Sequence, residues 1–310
     1  MPPYDRIRRT LESGGVVLLD GAMGSELVRR GVRWRGNGLR TSPEEVQALH
    51  EEYLAAGADV IRTNTFQLNP RTVLNVFRSR EHMRHIGAPD LETRAQDLTR
   101  KAVEVALAAR ERSGREAAIA GVLSPLEHCF RPDLSPPEKE AEAEHAEMAA
   151  ILAGAGADLL VLESMNTIAE ARAAARAASA MHLPIWASFV LGPEGDLLSR
   201  EKLEDAVRAM ESMGVDVVAV NCSPPVDVGA AVKRLRQATK RPIGAYAHVG
   251  KFDPPSWKFE FHPQFSATEE WPPEKYRDAA GAWRKAGAAA IGGCCGTGPD
   301  HVRALREGMR

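Results

Sequence analysis

From Ala155 to Glu163 the chain reads AGADLLVLE, a glycine between small residues that leads through one aspartate into an apolar run. Glycine at such a point fits the left-handed cap that ends a helix before a short step into a buried strand. The step recurs as Ala56-Gly57-Ala58-Asp59, as Met213-Gly214-Val215-Asp216 and as Ala286-Gly287-Ala288. Working outward, eight β-branched or leucine-rich runs stand at 16–20, 60–63, 118–123, 159–163, 185–190, 217–221, 243–247 and 289–292. Between them lie stretches of helical period, among them 43–56, 93–112, 138–155, 168–180, 202–213 and 276–286. No linker, low-complexity segment or charge block interrupts the alternation. It therefore predicts an α/β fold, one closed (β/α)8 barrel forming a single domain over residues 1–310, in preference to a doubly wound open sheet.

Composition narrows the partners. Apolar residues make up 44% and charged residues 26%, the balance of a chain that buries a full core. The net charge of -2 argues against nucleic acid, whose phosphates need a basic surplus. The N-terminal MPPYDRIRRTLESGG breaks any signal-like apolar stretch with charges, and no run of about 18 apolar residues follows, so no membrane partner is expected. With four cysteines in 310 residues a disulfide framework is not expected, and the reducing cytoplasm is the natural compartment.

The chemistry concentrates in cysteine. Cys222 follows the sixth run in VVAVNCSPP, and Cys294 with Cys295 follow the eighth in AIGGCCGTG. In a barrel both places open on the C-terminal face, where side chains from different strands converge. A disulfide between neighbours is strained, so a shared metal is the more economical reading of the pair. Gly292, Gly293 and Gly296 leave the backbone free to turn both sulfurs one way. Zinc suits soft sulfur, and three protein ligands leave a fourth position open, as in catalytic sites. A thiol taking that position is held as thiolate, the nucleophilic form, and the expected chemistry is alkyl transfer to sulfur. Two other readings stay open: GGCCGTG as a barrel phosphate site, and a redox or structural zinc role for the cysteines. Cys129, alone in a loop, reads as incidental.

Polar residues gather at other strand ends: Asp20 after VVLL, Asn64 and Thr65 after VIRT, Glu163 closing LLVLE, and Asn221 beside Cys222. Carboxylates on this face would suit the α-ammonium of an amino acid, although each one singly reads equally well as a helix cap or a solvated strand end. Two long connections, 66–91 and 249–273, follow the second and seventh strands. The second carries Phe252, Trp257, Phe259, Phe261, Phe265 and Trp271.

At these residues the sequence resembles the homocysteine S-methyltransferase family, which includes the betaine and S-methylmethionine enzymes and the homocysteine module of cobalamin-dependent methionine synthase. The matching stretches are LLDGAMGSEL from Leu18, GADVIRTNTFQLN from Gly57, GADLLVLESMNTIAEA from Gly156, Asn221-Cys222, and GGCCGTGPDHVRAL from Gly292 to Leu305. The resemblance implies a (β/α)8 barrel, zinc on Cys222, Cys294 and Cys295, homocysteine contacts at Asp20 and Glu163, and Asn64, Thr65 and Asn221 in the same pocket. The chain departs from the methionine synthase module after the seventh strand, where AYAHVGKFDPPSWKFEFHPQF replaces a turn rich in proline and asparagine. Its aromatics could box an onium group by cation-π attraction or simply pack on the barrel rim.

The expected reaction is methyl transfer from a small onium donor to zinc-bound homocysteine, giving methionine. S-Methylmethionine or S-adenosylmethionine is preferred, with betaine next. No corrinoid or folate module follows, so a methylcorrinoid donor is expected only from a separate protein. A zinc-holding thiol sensor without catalysis is the alternative of another class. Oligomeric state is not readable in these residues.

Overall fold

The computed structural model describes residues 2–33, 35–74, 93–252, 265–266 and 269–309. Eight strands alternate with helices: β1 (Val17–Leu18), β2 (Val60–Arg62), β3 (Ala118–Leu123), β4 (Leu159–Met165), β5 (Ile185–Phe189), β6 (Val217–Asn221), β7 (Ile243–Tyr246) and β8 (Ala288–Ile291). The helices are α1 (Pro3–Glu12), α2 (Gly24–Arg29), α3 (Pro43–Ala56), α4 (Pro70–Leu74), α5 (Arg94–Ser113), α6 (Glu138–Ala155), α7 (Ile168–Ser179), α8 (Leu203–Ser212), α9 (Pro225–Ala238), α10 (Pro273–Lys285) and α11 (Pro299–Gly308).

Every neighbouring pair from β2 round to β1 is parallel, with β8 seated between β7 and β1. A parallel bridge between Leu19 and Val60 joins β1 to β2 and closes the ring. The (β/α)8 expectation holds. Closure explains why the strands read as continuous apolar runs: one face meets the helices and the other the barrel interior, so neither meets water. The interior is filled by alternate residues, including Val17 and Leu19, Ala118 and Ala120, Leu159 and Val161, and Val217 and Ala219. Cys222 and Cys294 sit in the same packed group.

The expected caps hold as well: Gly57, Gly156, Gly214 and Gly287 all have positive φ, between 75° and 108°. Helix α1 was not among the expected elements. It lies across the N-terminal end of the barrel, where Tyr4 and Ile7 join the interior core. Trp186 Nε1 donates to Tyr4 Oη at 3.0 Å, and Tyr4 Oη donates to Asp216 Oδ2 at 3.5 Å. Strand β4 runs past Glu163 to Met165, with an irregular register between Leu162 and Met165 where Ser164 turns to φ 60°. Of the two long connections, residues 75–92, 253–264 and 267–268 lie outside the described residues, and with them Trp257, Phe259 and Phe261. Lys251–Phe252 pairs antiparallel with Phe265–Ser266.

Candidate metal centre

The three cysteines expected to meet do meet. Cys222, Cys294 and Cys295 place their sulfurs within 4.8 Å of one another, and Cys222 Sγ lies 3.9 Å from Cys295 Sγ. All are free thiols. Thiolates about 2.3 Å from a tetrahedral ion stand about 3.8 Å apart, so the spacing suits zinc. Among the described residues no other group of three histidine, cysteine, aspartate or glutamate side chains converges this way.

Local structure fixes the sulfurs. The end of β7 acts as a rail: Cys222 N donates to Tyr246 O at 3.2 Å, Cys294 N to Ala247 O at 2.9 Å, and Val249 N to Cys295 O at 2.8 Å. The cysteine pair is further tied by Gly293 N to Asp20 O at 3.0 Å and by Thr297 Oγ1 to Cys294 O at 2.7 Å. The glycines differ in their reasons. A Cβ on Gly293 would lie 2.0 Å from Thr297 Oγ1, so that residue is required by close approach, whereas Gly296 is required by its φ of 84°. Cys222 itself adopts φ 46°, a left-handed conformation that costs a non-glycine residue on the order of 1 kcal/mol or more. Strain held in place by the rail is what turns this sulfur towards the other two.

The thiols influence one another. Cys222 and then Cys295 hydrogen-bond to the Cys294 sulfur and, with Arg62 nearby, hold its thiol well below the ordinary range. Cys222 is pushed up, first by Cys294 and then by Cys295. One sulfur is thus ready to be thiolate, the form that binds metal.

Cys129, the fourth cysteine, lies outside the converging group, and burial pushes its thiol up to about 12. Of the expected polar contacts, Asp20 is fully buried and both its oxygens are engaged. Oδ1 accepts from Arg62 Nε at 2.6 Å, and Oδ2 accepts from Arg62 N at 2.8 Å. Glu163 Oε2 accepts from Arg62 Nη1 at 2.8 Å, and among the described residues that carboxylate makes no other hydrogen bond. Burial pushes both carboxyls up while Arg62 pulls them back.

Asn64 is tied to Asn37: its Nδ2 donates to Asn37 O at 2.6 Å, and Asn37 Nδ2 returns a bond to Asn64 O at 3.0 Å. Thr65 Oγ1 donates to Val122 O at 2.8 Å. Asn221 Nδ2 donates to Ser164 Oγ at 2.7 Å, which leaves its buried Oδ1 as an acceptor without a partner among the described residues. Trp271 is the one ring of the aromatic segment whose surroundings are described, and it already carries a cation, Lys275 Nζ at 4.4 Å from its centroid.

Arg62 escaped the sequence reading. Its guanidinium lies among the strand ends, with Nη2 donating to Gly21 O at 2.9 Å and to Gly293 O at 2.7 Å. Burial works against its charge, but Glu163 and Asp20 outweigh burial, so it stays ionised. A signal existed: Val60 points into the barrel, and in a strand the residue two further on must point the same way.

Comparison with known proteins agrees with this geometry. A family model described as homocysteine S-methyltransferase matches residues 17–309. Homocysteine S-methyltransferase 4 of Zea mays is 27% identical, over 96% of this chain and 91% of its own length. Betaine–homocysteine S-methyltransferase 1 of Bos taurus is 27% identical, over 97% of this chain and 74% of its own. The crystal structure of the homocysteine methyltransferase MmuM from Escherichia coli in its metallated form superposes with a TM-score of 0.78. It is 26% identical and is covered over 97% of this chain and 99% of that one.

Proposed function

The chain belongs to the homocysteine S-methyltransferase family, and on that footing we propose that it methylates homocysteine at a zinc ion held by Cys222, Cys294 and Cys295, with a small onium compound as donor. The observation that carries the reading is the convergence, within 4.8 Å, of three free sulfurs from two strand ends far apart in sequence. The all-sulfur donor set suits zinc, and a zinc ion bound there supplies one thing, a thiol held as nucleophilic thiolate at neutral pH.

The protein's own residues supply position. The β7 rail and Gly293 fix the sulfurs, and Asn221 Oδ1 offers an acceptor to an N–H of the incoming amino acid. Glu163 brings its second oxygen to the same region. Asp20, Asn64 and Thr65 shape the site through their bonds to Arg62, Asn37 and Val122. In the reaction the acceptor sulfur forms a bond to the methyl carbon as the bond from that carbon to the donor heteroatom breaks. A sulfonium donor leaves as a neutral thioether, a far weaker base and better leaving group than the tertiary amine that betaine would release, and for that reason S-methylmethionine or S-adenosylmethionine comes before betaine. The free thiols are those of a protein at work in a reducing compartment such as the cytoplasm.

The test is a donor panel offered to the full chain with zinc content verified: S-methylmethionine, S-adenosylmethionine, betaine and methylcobalamin, each with homocysteine. Methionine from a sulfonium is the expected result. Turnover with methylcobalamin alone would replace the donor by a methylcorrinoid from a separate protein. Homocysteine binding without turnover of any donor would leave a thiol-binding regulator and end the catalytic reading.

A further inference from the structure

Arg62 fills the place between Asp20 and Glu163 that a substrate ammonium would need, and we infer that it determines acceptor specificity by making the acceptor's α-amino group dispensable. This rests on the proposed seating of the acceptor at the three sulfurs and concerns which thiols that seat admits.

Carboxylates recognise an ammonium because a desolvated charge must find a partner. Here both have found one inside the chain. Asp20 is 0% exposed and spends both oxygens on Arg62; Glu163 spends Oε2 on it. The cation cannot step aside, since Nη2 is bonded to the Gly21 and Gly293 carbonyls and the guanidinium lies 5.0 Å from the Tyr246 ring centroid. Guanidinium also cannot give up its proton. Two negative charges and one positive leave the floor of the site far less acidic than the carboxylate pair by itself. What remains for an acceptor is the second oxygen of a compensated Glu163 and the neutral Asn221 Oδ1. The amino group then contributes a hydrogen bond of ordinary strength in place of an ion pair. The acceptors admitted are short thiol carboxylates, with or without the 2-amino substituent.

The experiment is calorimetric titration of the zinc-loaded full chain with homocysteine and with 4-mercaptobutanoate, its analogue without the amino group. An ionic contact to an ammonium is worth about 10- to 100-fold in Kd, and a neutral hydrogen bond about 2- to 10-fold. The expected ratio of Kd values is under about tenfold; a ratio of tenfold or more overturns the inference while leaving the proposed function standing. Failure of both thiols to bind zinc-loaded protein removes the proposed function and the inference with it. Arg62→Gln, which is too short to bridge the pair, should raise the ratio at least about tenfold above wild type, and an unchanged ratio in the folded variant also overturns the inference. If that variant does not fold, the wild-type ratio decides.

Discussion

Arg62 donates to the Gly293 carbonyl at 2.7 Å, so the guanidinium that joins Asp20 to Glu163 also holds the residue just ahead of the cysteine pair. Charge and the geometry of the cysteine cluster are therefore not independent in this site.

Asp20→Ala removes one partner of a pair whose side chains are 6% and 0% exposed. Leaving a buried guanidinium half-compensated should cost about 3–5 kcal/mol of stability. Urea or guanidinium unfolding would show it as a fall in midpoint at unchanged slope; a shift within about 0.5 kcal/mol would mean that the pair contributes little.

Cys294→Ser and Cys222→Ser each replace a soft ligand by a hard, neutral one. The wild type should bind one zinc per chain, and either variant should lose at least about 100-fold in zinc affinity while keeping its far-UV circular dichroism. Zinc should also raise the wild-type melting temperature, because an ion that binds only the folded form stabilises it. A metal analysis that finds equal zinc in wild type and variants would contradict the centre.

His50 lies fully buried on α3 with neither ring nitrogen partnered among the described residues, and burial lowers its pKa from 6.5 to about 4. The folded state therefore holds it neutral while the unfolded chain takes up a proton. Its contribution to stability is complete above about pH 6.5 and is lost as the pH falls towards 4, amounting to about 3 kcal/mol over that window. His50→Leu should flatten this part of the stability curve. Parallel curves for variant and wild type between pH 7 and pH 4 would refute the assignment.

Burial pushes the Cys129 thiol up to about 12, whereas Cys294 is held low by its sulfur neighbours. In zinc-free protein at neutral pH, iodoacetamide should label Cys294 well before Cys129, as peptide mass mapping would show. Cys129→Ser should leave zinc stoichiometry unchanged.

The barrel was legible because its signals are local and repeated. Gly57, Gly156, Gly214 and Gly287 announce the left-handed caps, and strands buried on both faces leave long apolar runs. The meeting of the cysteines was legible because position along a strand fixes position on the barrel, so Cys222 after β6 and Cys294 after β8 had to emerge on one face. Arg62 was missed because its partners are 42 and 101 residues away, and the strand period that turns it inward with Val60 does not reveal the charges that compensate it there. Asp20 was placed correctly at its strand end. What it binds inside the chain depended on Arg62, a partner 42 residues away. Helix α1 was missed although Pro3 opens it and Tyr4, Ile7 and Leu11 recur at helical spacing; its place is set by distant contacts, Tyr4 with Trp186 and Arg6 with Asp59.

That same helix lays a floor under a barrel that is already full. Tyr4 and Ile7 extend the packed interior at the end opposite the strand ends that carry Cys222 and Cys294, so a cavity cut into this floor would be felt as lost stability well before it reached the sulfurs.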